Sequence, residues 1–585
     1  MFLPATREEM DRLGWSELDV VLVTGDTYID SPYHGAAVVG QVLVKEGFRV
    51  GIVSQPRMDT VDDIAALGEP KLFWGISAGC VDSMVANYTS SGKRRHDDDF
   101  TAGGVNDRRP DRASIAYTGL VRRAFKGTVP VVVGGIEASL RRVAHYDWWD
   151  DKIRRSLLFD AKADLLVYGM GEWTIVELAR RLRDGVPLDD LRGTCRIAKE
   201  KPDDALEIVP FDDVAADRSR YVEMFRQFYK HSDPVSGKRL AQRHGERWLV
   251  QNPPAPNLTT EELDRFSEIP WELETHPKEA VFGPVKAWET VRFSVMTHRG
   301  CYGECNFCAI AVHQGLTIQS RSEASVVREV ARMAAHPRFK GIVADVGGPT
   351  ANMYGYECSK KLKKGSCEHK RCVCPTTCPA MPVTHEPHIS LLRKVRALPG
   401  VRKVFVASGI RTDLVMDDKK RGQAYIEEIA AHHVSGQLKV APEHFDDRIL
   451  GLMGKPGLDT ILDFKDRFER ASAKAGKKQF LTYYVIAAHP GCSMDDMEAM
   501  GTFARERFGL TPEQVQIFTP TPGTWSTVMY ATGIDPFSGN RVFVERDGGK
   551  RRAQKMAVAG PGVRRPVRRP TLGGSGPHER AGRRR

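Results

Sequence analysis

The chain of 585 residues has no uninterrupted apolar run approaching the roughly 18 residues that a membrane-spanning helix needs. Its first segment, MFLPATREEMDRLGW, reaches acidic residues before any apolar run, so no secretory signal is predicted. Without a sign of export, the reducing cytoplasm is the expected compartment, and disulfides rarely persist there. The eleven cysteines, eight of them between residues 301 and 378, therefore indicate metal or redox chemistry.

Residues 1–545, the body of the chain, also lack a net charge, although the whole chain carries +11. Residues 546–585 contain 13 Lys and Arg against two acidic residues, which leaves 73 of 86 basic and 73 of 75 acidic residues for the rest. The charge of the body therefore does not support RNA as a partner. The tail, with RRPVRRP followed by Gly, Ser and Pro, is predicted to be disordered. It either keeps the protein soluble or touches RNA or another polyanion.

The first part of the chain, residues 1–215, alternates apolar runs with amphipathic stretches. This rhythm predicts strands joined by helical crossovers, and hence an α/β fold with a doubly wound parallel sheet. The five predicted strands are 18–26, 48–56, 71–79, 129–139 and 163–172.

After a connector at 216–290 the same rhythm returns over 291–545. Six βα units are too few for a closed eight-stranded barrel and predict an open, partial (β/α)6 barrel. Its active site is expected in the loops after the carboxyl ends of the strands. The predicted barrel strands are 291–299, 340–348, 402–409, 436–443, 480–488 and 515–522.

The segment THRGCYGECNFCAIAVHQG follows the first predicted barrel strand. Cys301, Cys305 and Cys308 form a C-x₃-C-x₂-C pattern, and thiolates at this spacing can reach three corners of a cubane cluster. The alternatives are a structural zinc, which would require a fourth ligand, and a redox-inert cluster. Three cysteines leave one iron of a [4Fe–4S] cluster open for chemistry.

This loop resembles the signature of the radical S-adenosylmethionine (SAM) superfamily, with Phe307 at the aromatic position before the third cysteine. The resemblance implies that the open iron binds SAM. It also implies that an electron from a low-potential donor such as flavodoxin or ferredoxin cleaves SAM to methionine and a 5′-deoxyadenosyl radical. That radical abstracts hydrogen from a substrate.

Further segments at the ends of the predicted strands resemble SAM-contacting segments of that superfamily. The resemblance implies cofactor-binding roles for residues in DVGGPTANMY, ASGIRTD and KVAPEH, while AAHPG is similar to the adenine-side segment near His489 and Gly491. The candidate SAM-binding residues are Gly347, Gly348, Ser408, Arg411, Lys439 and Glu443, with His444 beside the last of them.

Over nearly all of residues 1–545 the chain looks like the YgiQ-type (UPF0313-like) family. Its first domain is similar to the cobalamin-binding-like domain that precedes many radical SAM barrels. A histidine held below a corrin stands in a D-x-H-x₂-G pattern, whereas here His34 follows Asp30 by four residues. Bound cobalamin is therefore not expected, and the domain is predicted to cover the mouth of the barrel or to help bind the substrate.

A second cysteine group occupies an otherwise polar insertion at 354–380. Five thiols in 21 residues, with His369 nearby, favour a second metal site, either zinc or Fe–S, over free or regulatory thiols. The polar, lysine-rich surroundings predict that these thiols are not packing residues. The preferred ligands are Cys358, Cys367, Cys372 and Cys378, with Cys374 as the spare.

Three functions follow from these patterns. The first is a radical SAM enzyme that acts on an unknown substrate, which could be tRNA, a peptide or a small metabolite. The second is a cobalamin-dependent radical SAM methylase. The third is a non-catalytic Fe–S electron carrier or sensor, which would leave the residues at the strand ends without a purpose.

Overall fold

The computed structural model describes residues 1–367 and 370–560. Within them, nine strands form one sheet in the N-terminal region, and all five predicted strands belong to it. These five pair in parallel, as predicted for a doubly wound domain. The order across the sheet is Leu206–Ile208, Leu240–His244, Arg247–Gln251, Thr194–Ala198, Leu165–Val167, Val131–Gly134, Phe73–Ser77, Val20–Thr24 and Val50–Ser54.

The strand order reverses beside Val20–Thr24, which lies between Val50–Ser54 and Phe73–Ser77. At such a switch point the loops on the two sides diverge, so a crevice opens at the carboxyl ends of the strands. Apolar residues cover both faces of the sheet. The helices of this region are Arg7–Arg12, Gly35–Lys45, Asp62–Ala65, Ser83–Asn87, Ala113–Ala124, Gly135–Leu140, Leu157–Ala161, Glu172–Asp184, Phe211–Ala216 and Arg220–Lys230.

The sheet continues beyond residue 215, so placing the start of the connector there is wrong. Leu240–His244 and Arg247–Gln251 form an antiparallel hairpin that pairs with Thr194–Ala198. A two-residue turn joins these strands, and the βα rhythm used to draw the boundary cannot register a hairpin. The rest of the connector contains Thr260–Ser267, Pro277–Ala280 and Lys286–Val291 as helices, and Glu274–Thr275, which pairs with Ile29–Asp30.

The second region forms the predicted partial barrel, and the predicted fold class is confirmed. Its described strands run parallel in chain order, with short ladders linked by single contacts such as the bridge from Ile410 to Val440. These strands are Ser294–Met296, Ile342–Val343 continued by Asp345–Gly347, Lys403–Val404, Gln437–Glu443, Phe480–Ala487 and Gln514–Ile517.

Helices cover the outside of this barrel. The apolar faces of most of them join the strands in one core that includes Val295, Val346, Val440 and Val485, whereas Trp525–Thr532 packs in the core of the N-terminal region. The helices are Ile310–Gln314, Glu323–Ala334, Ser359–Lys364, Glu386–Arg396, Thr412–Asp417, Gly422–Glu428, Asp447–Met453, Leu458–Lys474, Met494–Phe508 and Trp525–Thr532. Two antiparallel pairs complete the described strands, His298–Arg299 with Gln319–Ser320 and His145–Asp147 with Lys152–Arg154.

The start of the basic tail is ordered, contrary to the prediction of disorder from residue 546. Gly548–Ala559 is a helix capped by Asp547, and it buries Val558 in the barrel core. Arg551 is also buried and donates to the carbonyl of Phe518, so this arginine serves packing rather than solubility. Residues 561–585 lie outside the described part of the chain. Among the described helices, none is long and apolar enough to cross a membrane.

Candidate active site at the cysteine loop

The cysteine loop begins where the first barrel strand ends, as the sequence predicts. Gly300 has φ of 79°, and a Cβ there would lie 2.1 Å from the carbonyl oxygen of Thr317. Only glycine fits both conditions. The far side of the loop is fixed by Asn306, whose backbone NH donates to the carbonyl oxygen of Met453 at 2.8 Å. The loop is therefore held by backbone contacts at both ends.

The three predicted cluster ligands lie together in this loop. The backbone NH of Gly303 donates to Cys301 Sγ at 3.3 Å, and a Cβ at Gly303 would be 3.2 Å from that sulfur and 3.6 Å from Cys305 Sγ. Burial, and the neighbouring Cys305, raise the pKa of the Cys308 thiol to about 12. Burial likewise raises the pKa of Cys301.

This arrangement suits a cubane cluster better than a single metal ion. In a [4Fe–4S] cluster each thiolate binds a different iron, so the sulfurs need not converge on one point. In the described residues, no three His, Cys, Asp or Glu side chains surround a common ion position. Gly303 leaves room between Cys301 and Cys305 that any side chain would fill.

Arg411 lies against the cysteine loop. Its Nη1 is 3.6 Å from Cys305 Sγ, and its Nε donates to Asp413 at 3.0 Å. The backbone NH of Arg411 donates to Asn352 Oδ1 at 2.9 Å, which fixes the start of the loop that carries it. A buried cation in this place stabilises negative charge on the sulfurs. The contact of Arg411 with SAM that the resemblance implies stays a prediction.

Gly347, Gly348 and Ser408 lie together at the ends of the second and third strands. A Cβ at Gly347 would lie 2.8 Å from Ser408 Oγ, and one at Gly348 would lie 2.6 Å from the ring of His298. Asp345 accepts from the backbone NH of Ser408 at 3.1 Å and from its hydroxyl. At these two glycines the backbone therefore lies too close to neighbouring side chains for a Cβ to fit.

Lys439 and Glu443 stand on the fourth strand. Lys439 is exposed between buried Leu438 and Val440, so its side chain points away from the core. Glu443 is a non-glycine residue with φ of 75°, beside an irregularity in the pairing with the fifth strand. Burial raises the pKa of its carboxyl to about 7. A strained backbone together with a carboxyl of raised pKa is typical of functional positions.

The two histidines at the following strand ends are held by other side chains. His444 Nε2 is 3.6 Å from Cys492 Sγ, and His489 Nε2 is 2.6 Å from Ser526 Oγ. Both are buried, and burial lowers the pKa of each imidazole, to about 4 for His444 and about 3 for His489. They order the strand ends as neutral side chains.

The second cysteine group folds onto the cysteine loop. Cys358, Cys372 and Cys378 pack against an apolar cluster that includes Tyr302 and Tyr356, so excluding packing roles for them is wrong. The apolar partners come from outside the lysine-rich stretch, which is why its local composition misleads. Burial raises the pKa of Cys372 to about 11, Lys361 Nζ lies 3.8 Å from its sulfur, and Cys367 is exposed.

A second metal site stays a prediction, since the described residues show no group of three ligands around one ion. His369 lies outside them. No pattern in the sequence placed Cys374, the spare thiol of the second group, or Asp413 beside the first group, yet both interact with Arg411. Arg411 and Cys305 act electrostatically on the thiol of Cys374, whose pKa is raised mainly by burial. The insertion thus brings a further thiol beside the proposed cluster.

Known proteins resemble the chain over nearly its whole length. Residues 2–294 match the family model described as radical SAM N-terminal. A UPF0313 protein of Fusobacterium nucleatum is 51% identical over 558 residues, covering 95% of this chain and 98% of that protein. The chain belongs to the UPF0313 family of radical SAM proteins. A UPF0313 protein of Thermotoga maritima is 48% identical over 549 residues, covering 93% of this chain and 96% of that protein.

Two solved structures are similar at low identity. The radical SAM methyltransferase TsrM from Kitasatospora setae, with tryptophan substrate and a SAM analogue bound, is 15% identical with a TM-score of 0.49. The match covers 86% of this chain and 74% of that one. The cobalamin-dependent radical SAM enzyme OxsB is 12% identical with a TM-score of 0.48, covering 88% and 55%. Similarity at this level says nothing about the cofactors or substrate of this chain.

Proposed function

We propose that this protein is a radical SAM enzyme. Cys301, Cys305 and Cys308 would hold a [4Fe–4S] cluster whose open iron binds SAM. When bound and reduced by one electron, this pair supplies methionine and a 5′-deoxyadenosyl radical that takes hydrogen from a substrate. The observation that carries the proposal is the grouping of Cys301 and Cys305 around Gly303, with the Arg411 guanidinium 3.6 Å from Cys305 and with Cys308 close enough to interact electrostatically with both thiols.

The residues around the loop have separable roles in this proposal. Gly347 and Gly348 would bring the backbone close to the amino group of SAM, as the family resemblance implies, and neither position tolerates a side chain beside Ser408 or His298. Lys439 offers a charge to the carboxylate of SAM. Glu443, with its pKa raised to about 7, can hold a proton or accept from a hydroxyl near neutral pH.

The electron would come from a low-potential carrier such as flavodoxin or ferredoxin, and the cytoplasm is the compartment that supplies one. A cobalamin-dependent methylase is the second candidate. His34, the histidine nearest to the missing motif, is buried and its Nδ1 accepts from the backbone NH of Ala37 at 3.2 Å. It caps the helix Gly35–Lys45, which argues against a role as a corrin ligand.

The test is to reconstitute the protein anaerobically, reduce it with dithionite and quantify products by mass spectrometry. Methionine and 5′-deoxyadenosine should form in equal amounts and only with SAM present. Corrinoid recovered with the purified protein would favour the methylase. A loaded cluster that leaves SAM intact would contradict the proposal and favour an electron carrier or sensor.

A further inference from the structure

A cavity of about 490 Å³ lies between the N-terminal sheet and the first strand of the barrel. Its floor includes Leu22, Gly75 and Val132, on three adjacent strands of which the first two lie at the reversal of strand order. Met296 and Ile310 line the barrel side. The volume falls within the range of about 300–1,000 Å³ that is typical of small-molecule sites. Ligands of doubly wound sheets bind at this switch point.

The cavity carries no uncompensated charge. Its charged lining residues form two buried ion pairs, one from Arg299 Nη1 to Glu172 Oε1 at 2.9 Å and one between Arg321 and Glu329. The lining contains no lysine, and all of it belongs to the described part of the chain. Most of the remaining wall is aliphatic, aromatic or glycine. An anionic ligand would lose its hydration here without gaining a free cation.

Two polar atoms of these ion pairs have no hydrogen-bond partner among the described residues. They are Nε of Arg299, a donor, and Oε1 of Glu329, an acceptor, and each residue is only 4% exposed. An unsatisfied buried polar group costs about 1–3 kcal/mol. Because both atoms are themselves buried, they offer no hydrogen bond to a molecule in the cavity, whose accessible wall is mainly apolar.

The cavity adjoins the candidate SAM site. The ring of His298 lines the cavity, and the same ring would be 2.6 Å from a Cβ on Gly348. Burial lowers the pKa of His298 to about 4, so this dividing wall is neutral at pH 7. On the other side of the cysteine loop, His313 in the helix Ile310–Gln314 also lines the cavity. Both ends of the loop therefore face this space.

We propose that this cavity, called the interdomain cavity below, holds the substrate of the radical reaction. The substrate is an uncharged, largely apolar small organic molecule. The inference rests on the proposed function, because only SAM chemistry at the adjoining cluster makes a molecule held here a substrate. A nucleic acid or a nucleotide is not accommodated by a cavity that offers no free cation.

The first test uses two dyes with the same rings, uncharged N-phenylnaphthylamine and its sulfonated analogue anilinonaphthalene sulfonate. The uncharged dye should bind with a stoichiometry of one and about tenfold or more tightly than the sulfonate, because burying an unpaired charge is costly. Val39→Trp, which fills the cavity, should abolish that binding. Val44→Trp, on the same helix but outside the cavity, should preserve it.

If Val39→Trp does not fold, as judged by circular dichroism, Ala36→Phe fills the same cavity with a smaller side chain. Equal affinity for the two dyes, or dye binding that survives filling of the cavity, would overturn the assignment. Displacement of the uncharged dye by hydroxocobalamin would also overturn it, because the cavity would then belong to a second cofactor.

The second test uses fully deuterated tetralin with the reconstituted, dithionite-reduced protein and SAM. Hydrogen-atom abstraction breaks a benzylic C–D bond and forms C5′–D, so 5′-deoxyadenosine gains one deuterium. The remaining carbon radical is reduced by excess dithionite and a solvent proton. Deuterium in the product, lost in Val39→Trp, is the expected result. Unlabelled 5′-deoxyadenosine would overturn this inference alone, whereas no 5′-deoxyadenosine would contradict the proposed function.

Discussion

The protein places two carboxyl-terminal strand edges face to face, and they differ in chemistry. The barrel edge carries thiols and ionisable groups, among them Cys305, Arg411 and Glu443. The edge of the N-terminal sheet carries glycines and apolar residues such as Gly135, and the charges near it cancel in pairs. Under the two proposals, the same topological rule would yield a site for a charged cofactor on one side and a site for an uncharged molecule on the other.

Among the predicted changes, removing one thiol from the barrel edge should reduce SAM cleavage most strongly. Cys305→Ala leaves two thiolates, which cannot hold the cluster, so 5′-deoxyadenosine formation should fall about a thousandfold or more. The fold should remain, since Cys305 contributes no core packing. Iron content and product formation measure the effect. Cys195→Ala, in the core of the other domain, is the control and should keep both; SAM cleavage retained in Cys305→Ala would contradict the assignment.

A second experiment tests whether the backbone of the cysteine loop, and not the thiols alone, is needed to hold the cluster at the barrel edge. Gly300→Ala would place Cβ 2.1 Å from the carbonyl of Thr317, so the loop must shift. A cost of about 2 kcal/mol corresponds to roughly thirtyfold weaker cluster retention under chelator challenge. Gly315→Ala also has positive φ, at 104°, but meets nothing within 4 Å. Equal losses in the two variants would remove the role given to Gly300.

The pH dependence of thiol modification should distinguish the buried thiols from exposed ones. Burial raises the pKa of Cys308 to about 12, so in the apoprotein its thiolate fraction rises about tenfold for each pH unit between 7 and 11. Iodoacetamide labelling at Cys308, followed by peptide mass spectrometry, should increase in step. Cys367 is exposed and should react first at pH 7. A pH-independent rate at Cys308 would contradict its burial as a thiol.

Lys439→Met tests the proposed use of charge at the barrel edge. Loss of a charge-assisted contact with the SAM carboxylate should weaken SAM binding about tenfold, measured by calorimetry on the loaded protein. Lys403→Met removes an exposed lysine near the opposite end of a neighbouring strand and serves as the control. Unchanged affinity in Lys439→Met would take this residue out of the SAM site.

The smallest effect on SAM cleavage is expected from a substitution in the insertion at 354–380. Cys372→Ala should change SAM cleavage by less than about twofold, because its thiol packs on the Tyr302 cluster and is not a ligand of the first group. Metal content per chain should fall if the insertion holds zinc or a second cluster. Loss of the SAM-responsive cluster in this variant would show that the two cysteine groups form one site.

Sequence patterns predicted what depends on short spacings and repeated rhythm. The cysteine loop is defined by eight residues, and the strands by apolar runs, so both were visible without a structure. The hairpin Leu240–Gln251 was missed because its strands break the βα rhythm. The helix Gly548–Ala559 was missed because four of its twelve residues are basic and the basic tail follows it, while Arg551 is buried through contacts with residues far away in the chain.

The candidate site was less predictable where several loops meet. The contact of Arg411 with Cys305 joins residues more than a hundred positions apart, and only the folded barrel shows it. The interdomain cavity draws its lining from both regions, including Gly75, Trp271 and His298. None of these is unusual in its local sequence, so no pattern could have grouped them.

The central claim is that Cys301, Cys305 and Cys308 hold a [4Fe–4S] cluster with an iron open to SAM. The most direct measurement is the EPR spectrum of the anaerobically reconstituted and reduced protein, recorded with and without SAM. The account predicts a [4Fe–4S]⁺ signal whose g values shift when SAM is added. A cluster signal that SAM leaves unchanged, or no cluster at all, would contradict it.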